Sequence, residues 1–444
     1  MTLSYFPPLL TSVFTSLAHW LDKRTAARLP LLLAGILFAR GNRTVTSWFR
    51  AAGITNDFRQ GYSTVWAVGR EVDHLAISVV VDVVRPVLKG NKRLRIGIDD
   101  TPTQRYGPYV EGAGIHHHPS AGPAGEKYLY GHVWVVMAAL AKHEERGAIA
   151  LPLQGKLYIR AVDIPQLPPE RPRPFRTKHE LAVEQLLWVK PWVNNHFDEF
   201  CAVVDGGYAN RRFLRPAQQE GWMVISRLRK DAHLCDLPPT ERQPGQRGPM
   251  PTYGKGRIYL AELAADPQGW QQVKCEQYNA RVNKTIKTFL ATWRPAGGVI
   301  RVVLVQEEDG WIAFFATGTV VTAVEILEGM ADRGSMEQMN KDVKDVWGAD
   351  EQQVRNVDCN VGCFNLNLWM YSTVEAWAWP KEEEELVDRS ASPWDSEPRR
   401  PSHADKRKAL QREILQAEIE AVLSSRPNKE EIRTLAERLL AMAA

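Results

Sequence analysis

Apolar positions at helical spacing run through the first 90 residues: Leu17, Trp20 and Leu21, then Leu31, Ile36 and Phe38. Leu29–Ala39 is the longest apolar run. It is far shorter than the ~20 residues a membrane span needs, so it predicts a buried helix. The polar break Arg40-Gly41-Asn42-Arg43 closes that helix, and Thr44–Ile54 predicts a short helix stopped at Gly53. At residue 91 the pattern changes to alternation. Leu94-Arg95-Ile96-Gly97-Ile98 predicts a strand running into a turn at Asp99-Asp100-Thr101. His132–Leu140 and Gly155–Val162 are further strand candidates, and Pro165–Pro174 is a surface connection. Thr177–His196 predicts a helix, with Thr177 and Glu180 forming a capping box. Cys201–Val204 is a short buried strand that runs into Asp205-Gly206-Gly207-Tyr208. A helix over Arg211–Gln219 and a strand over Met223–Arg227 follow. Lys274–Trp293 alternates like a hairpin, Val299–Gln306 and Trp311–Ala316 predict paired strands, and the chain beyond Thr317 reads as helical to about Trp377. Residues 404–442 carry Leu410, Ile414, Ala417 and Ala421, then Ile432, Leu435 and Leu439, the pattern of an amphipathic helical hairpin. Helices, strands, strand–helix alternation and helices again make the middle of the chain α/β.

Length allows two to four domains of ~100–200 residues, or one large domain with insertions. The hydrophobic fraction of 44% and charged fraction of 24% are those of a folded protein with a sizeable core. Lys+Arg 56 against Asp+Glu 52 leaves +4, so any nucleic-acid surface must come from local segregation of charge. Basic residues do cluster at Lys23, Arg24, Arg28, Arg40, Arg43 and Arg50, and again at Arg171, Arg173, Arg176 and Lys178, a Pro-rich stretch suited to backbone phosphates. Solvated surface is the plainer reading of both. Five scattered cysteines exclude a secreted disulfide scaffold and do not space as a zinc site. Met1–Trp20 lacks a basic leader segment, and no membrane span is visible, so a cytoplasmic protein is expected.

Three places carry chemistry. Asp99-Asp100 and Asp205 each follow a strand in an α/β unit, where ligands bind outside the carboxyl ends of strands. Arg333, Glu337 and Lys344 are spaced by four and seven and share one helix face, with Lys341 beside them. Alone, the aspartates read as turns and the helix residues as a surface ion pair. Together, Asp99, Asp205 and Glu337 can make a carboxylate cluster for Mg²⁺ or Mn²⁺. Two such ions ~3.5–4 Å apart clamp an in-line phosphoryl displacement. His116-His117-His118 is either a polar loop or a soft metal site.

These residues resemble those of the DDE transposases of bacterial insertion sequences, in the superfamily with the RNase H-like (retroviral-integrase) fold. Arg333, Glu337 and Lys344 match the Tyr-x2-Arg-x3-Glu-x6-Lys signature, with Met330 at the tyrosine position. Asp99-Asp100-Thr101 is similar to the first-aspartate motif, with Asp100 the alternate first aspartate, and Asp205-Gly206-Gly207-Tyr208 to the second. Arg43–Ile54 resembles the helical head of these enzymes and Pro401–Asp405 a motif in their tails.

The resemblance implies an RNase H-like catalytic core with a β-rich insertion, flanked by helical N- and C-terminal regions. The expected division is a helical DNA-binding region at 1–90, core at 91–231, β-strand insertion at 232–300, core with the glutamate helix at 301–380, and linker and helical tail at 381–444. It implies catalytic and metal-binding roles for Asp99, Asp205 and Glu337 with two Mg²⁺ or Mn²⁺ ions. DNA contacts are expected from Arg333, Lys344, Lys341, Arg43, Arg50, Arg176 and Lys178. The implied reaction is cut-and-paste transposition on terminal inverted repeats and target DNA, by a homodimer in the synaptic complex, nucleoid-associated when bound. A decayed or domesticated transposase that only binds DNA is the alternative, and a carboxylate-pair glycosidase the more distant one.

Overall fold

The structure, a computed structural model, describes residues 3–117, 127–241, 248–390, 394, 399–424, 429, 430, 432, 433, 435 and 436. The N-terminal region is helical as expected: α1 (Pro8–His19), α2 (Lys23–Ala26), α3 (Leu29–Phe38), α4 (Val45–Ala51), α5 (Arg59–Arg70), α6 (Val72–Val79) and α7 (Arg85–Val87). Helix α4 starts on the Thr44 side chain, which accepts from the Ser47 amide, and ends before Gly53 at φ +84°. A left-handed stop of this kind suits glycine.

Four strands come next: β1 (Arg93–Gln104), β2 (Gly114–His117), β3 (Tyr128–His143) and β4 (Gly147–Tyr158). Helix α8 (Lys178–Val193) opens with the Thr177–Glu180 capping box. Then come β5 (Glu199–Val204), α9 (Arg211–Gln219) and β6 (Met223–Leu228). The insertion carries β7 (Leu234–Cys235), β8 (Arg257–Ile258), α10 (Leu260–Ala265), β9 (Gln271–Gln277) and β10 (Ala280–Trp293). Strands β11 (Gly298–Glu307) and β12 (Gly310–Ala316) precede α11 (Ala323–Asp332), α12 (Gly334–Asp345), α13 (Val357–Ala378), α14 (Glu383–Leu386) and α15 (His403–Ser424).

Strands β4-β3-β1-β5-β6 form the RNase H-like core: β3 is antiparallel to β1, β4 is antiparallel to β3 on its other side, and β5 and β6 run parallel to β1. Strand β12 pairs with β6, and β11 and β10 follow outward, so the insertion prolongs the same sheet to twelve strands. The expected boundary at 300 falls inside β11. Two strands run differently from the sequence expectation. The first strand does not end at a turn over Asp99–Thr101. It continues to Gln104 because the long β3 goes on pairing with it, Asp99 with Val136 and Asp100 with Val135. The strand expected at Gly155–Val162 begins at Gly147 and ends at Tyr158, because its pairing with β3 starts at His143 with Gly147.

Helix α13 is the central support and is buried along its whole length. Phe364 stacks on Trp134 of β3 with ring centroids 4.1 Å apart, and Asn365 closes hydrogen bonds with both backbone groups of Gly155. Helix α5 meets α13 at a glycine-to-glycine crossing. A Cβ on Gly69 would stand 1.8 Å from the Asp358 carbonyl oxygen, and one on Gly362 2.2 Å from that of Val65. The tail docks through a buried polar lock. His403 and Lys406 of α15 each reach the Glu375 carboxylate at 2.6 Å, and the Trp347 indole N–H donates to His403 at 2.8 Å. Ile432 and Leu435 of the expected second tail helix fall on helical residues, whereas Leu439 lies outside the described residues.

Candidate active site

The first aspartate pair is divided by the pleat of β1. Side chains alternate across a strand, so Asp99 and Asp100 face opposite ways. Asp100 points toward α8, where Lys178 Nζ lies 2.6 Å from it and the Tyr208 hydroxyl donates to it. Asp99 points toward α12. Arg333 Nη2 donates to its Oδ1 at 2.9 Å, and Arg333 Nη1 stands 3.6 Å from Glu337. Arg333 is 11% exposed, its Nε has no hydrogen-bond partner, and Glu337 is 74% exposed. The guanidinium thus occupies the ground between the strand carboxylate and the helix carboxylate.

Asp205 follows β5 directly. The parallel register pairs Ile98 with Val204, so the next residues, Asp99 and Asp205, stand abreast on neighbouring strands about 4.8 Å apart. The Asp205 carboxylate accepts from the Gly207 amide at 3.3 Å, and Ser226 Oγ donates to its backbone carbonyl at 3.1 Å. Burial pushes Asp99 up to about 6, with Asp100 and Asp205 raising it further and Arg333 opposing them. Its charged form is therefore held at a cost, which a nearby cation offsets.

The remaining expected residues are dispersed. Lys341 is exposed on α12. Lys344 is half-buried, and desolvation lowers its pKa. Arg43 is tied to the carboxylate of Glu351, and Arg50 is exposed at the end of α4. Arg176 bonds Glu184 at 2.7 Å, and Lys178 is held by Asp100. Met330, at the tyrosine position of the signature, packs against the core. His116 is driven down to about 4 by burial, with Arg160 and Lys178 nearby, so it is neutral, and His118 lies outside the described residues.

The donor chemistry at Asp99, Asp205 and Glu337 is carboxylate oxygen alone, which suits a hard divalent cation rather than zinc or copper. Among the described residues no three His, Cys, Asp or Glu side chains converge on one point. The Arg333 charge stands where a cation would neutralise Asp99.

The chain matches the DDE superfamily endonuclease family over residues 14–296. That span covers more than half of the chain, and the protein belongs to this family of nucleases. No curated protein matches the sequence. Among solved structures, the chain is similar to the NurA nuclease from Sulfolobus solfataricus, at 9% identity over 62% of this chain and 86% of that one, with a TM-score of 0.23. Among the described residues no helix is long and apolar enough to cross a membrane.

Proposed function

We propose that this endonuclease is a transposase that nicks DNA at the ends of a mobile element and joins the freed 3′-hydroxyl to target DNA. The observation that carries the reading is the abreast placement of Asp99 and Asp205 on adjacent parallel strands, facing Arg333 and Glu337 of the helical layer. Asp99 rather than Asp100 is the first aspartate, because Asp100 is engaged on the opposite face. Asp99, Asp205 and Glu337 would hold Mg²⁺ or Mn²⁺, two ions in the full site, which would activate the attacking oxygen and neutralise charge on the phosphate. The protein's own contribution is positioning and electrostatics. The β1–β5 register fixes the two aspartates, and the exposed Glu337 side chain is free to turn toward them. Arg333, once released from Asp99, presents a fork suited to a phosphate. Lys341 and Lys344 continue this basic side of α12, while Arg43, Arg50, Arg176 and Lys178 supply more distant backbone contacts. A homodimer pairing two inverted-repeat ends, nucleoid-associated while bound, completes the reading.

The test is Mg²⁺-dependent nicking of element-end DNA. Asp205→Ala is expected to abolish nicking and leave DNA binding intact; unchanged nicking would overturn the reading. The core packing of Met330 favours a second reading, a catalytically decayed transposase that only binds DNA. Excision of a marked element in cells separates the two, since the decayed protein would fold and bind without excising.

A further inference from the structure

Beside Asp205 the sheet sets an arginine. Strands β5 and β6 run in parallel register, Val203 with Ile225 and Val204 with Ser226, so the next residue of β6, Arg227, stands abreast of Asp205. Its face follows from parity. Val203 and Ile225 both lie within 4 Å of where a Cβ on Gly329 of α11 would sit, so both point to the α11–α12 side. Two residues on, Asp205 and Arg227 point the same way, as Asp99 does. Asp99, Asp205 and Arg227 thus form one row across three neighbouring strands. Arg227 is exposed, and among the described residues it has no carboxylate partner.

The row leads toward a cavity. Four residues past Asp205, Ala209 enters the lining of a 690 Å³ hollow between the core and the insertion, with Trp293 in its wall. Arg229, Arg257 and Arg294 also line it. Arg257 lies over the Tyr259 ring at 4.6 Å and Arg294 over Tyr253 at 5.3 Å. A guanidinium stacked on a ring keeps its N–H edge free for a phosphate. Arg229 pairs with Asp231 at 2.8 Å, but both are largely exposed, and such a pair is weak enough to exchange partners. A hollow of this volume accommodates a ligand of one or two nucleotides.

Resting on the nuclease reading above, we infer that Arg227, Arg257 and Arg294 grip the phosphates of a single DNA strand. That strand runs from the carboxylate pair into the cavity beside the insertion. The probe is a fluorescently labelled single-stranded oligonucleotide, bound in EDTA so that no cleavage occurs, with anisotropy followed over a salt series. Replacing all three arginines with glutamine is expected to reduce the slope of log K against log[salt] by about 2, at ~0.7 per phosphate contact on a single strand. The three Arg→Lys replacements should keep the slope. If the triple glutamine variant does not fold, Arg257→Gln and Arg294→Gln, both at exposed positions, should each remove about 0.7. An unchanged slope in folded variants overturns the inference, and so does an equal loss for a duplex of the same sequence. Neither result depends on nicking, so failure here is distinct from failure of the Asp205→Ala test.

Discussion

At the scale of single residues, the burden placed on Asp99 has a measurable consequence. Its side chain is 19% exposed, and burial with two neighbouring carboxylates raises it to about 6. In the unfolded chain an aspartate titrates near ~3.9. Between about pH 4 and 6 the folded protein therefore binds more protons than the unfolded one, and its stability falls as pH rises through that window. Asparagine has the same shape and nothing to ionise. In EDTA, Asp99→Asn is expected to be more stable than the native chain at pH 7.5 by roughly 1–3 kcal/mol. The gain should vanish below about pH 4, where the native carboxyl is protonated in both states. Urea denaturation at the two pH values checks this; equal stability at pH 7.5 would show that the site carries no such burden. The same comparison shows what a sequence makes legible at this scale. Asp99 and Asp205 stand out because each follows a short apolar run, a local signal. Arg227 carries no local signal: only the pairing of Val204 with Ser226, 22 positions apart, sets it beside Asp205.

At the scale of elements, two contacts hold the helices that back the site. The α5–α13 crossing depends on the missing side chains of Gly69 and Gly362, because the backbones touch where a Cβ would go. Gly69→Ala should cost about 1–3 kcal/mol or more as the helices are forced apart. Gly298→Ala, with no neighbour within 4 Å, is the control, and thermal melting of both reads the difference. The second contact is the lock between α13 and α15. Burial opposes the charge on Glu375, but Lys406 and His403 outweigh it and hold the carboxyl well below its ordinary range. Its contribution is therefore present above pH ~4.5 and lost as acid protonates it. Glu375→Gln strands the Lys406 charge in the core and should cost about 3–5 kcal/mol at pH 7. Its deficit relative to native should narrow on acidification, and a deficit that is constant with pH would contradict the ionic account. The α8 capping box was legible because it spans four residues. The α13–α15 lock was not, since Glu375 and Lys406 are 31 positions apart and each looks like an ordinary surface charge.

At the scale of the whole molecule, the charge balance and the domain plan both change meaning. A total of +4 conceals an acidic strand pair beside Arg227 of β6 and Arg333 at the head of α12. Alternation in the sequence marks out the insertion as a block of strands, but it does not say to what those strands pair. In the structure β12 pairs with β6, and one hydrophobic cluster runs from Phe6 of the N-terminal segment through Ile98, Ile300 and Trp369 to Ile414 of α15. Helices, core, insertion and tail share that cluster, so no part can unfold without exposing apolar surface on another. Chains of this size commonly unfold domain by domain. This one is expected to melt in a single calorimetric transition, with van't Hoff and calorimetric enthalpies equal. Deleting residues 232–297 should abolish that transition rather than leave a smaller stable core, because it removes β10 from β11 and exposes Phe289 and Trp293 contacts of the shared cluster. A separate low-temperature transition assignable to residues 1–90, or a cooperatively folded deletion variant, would show that the helical head or the insertion is an independent unit.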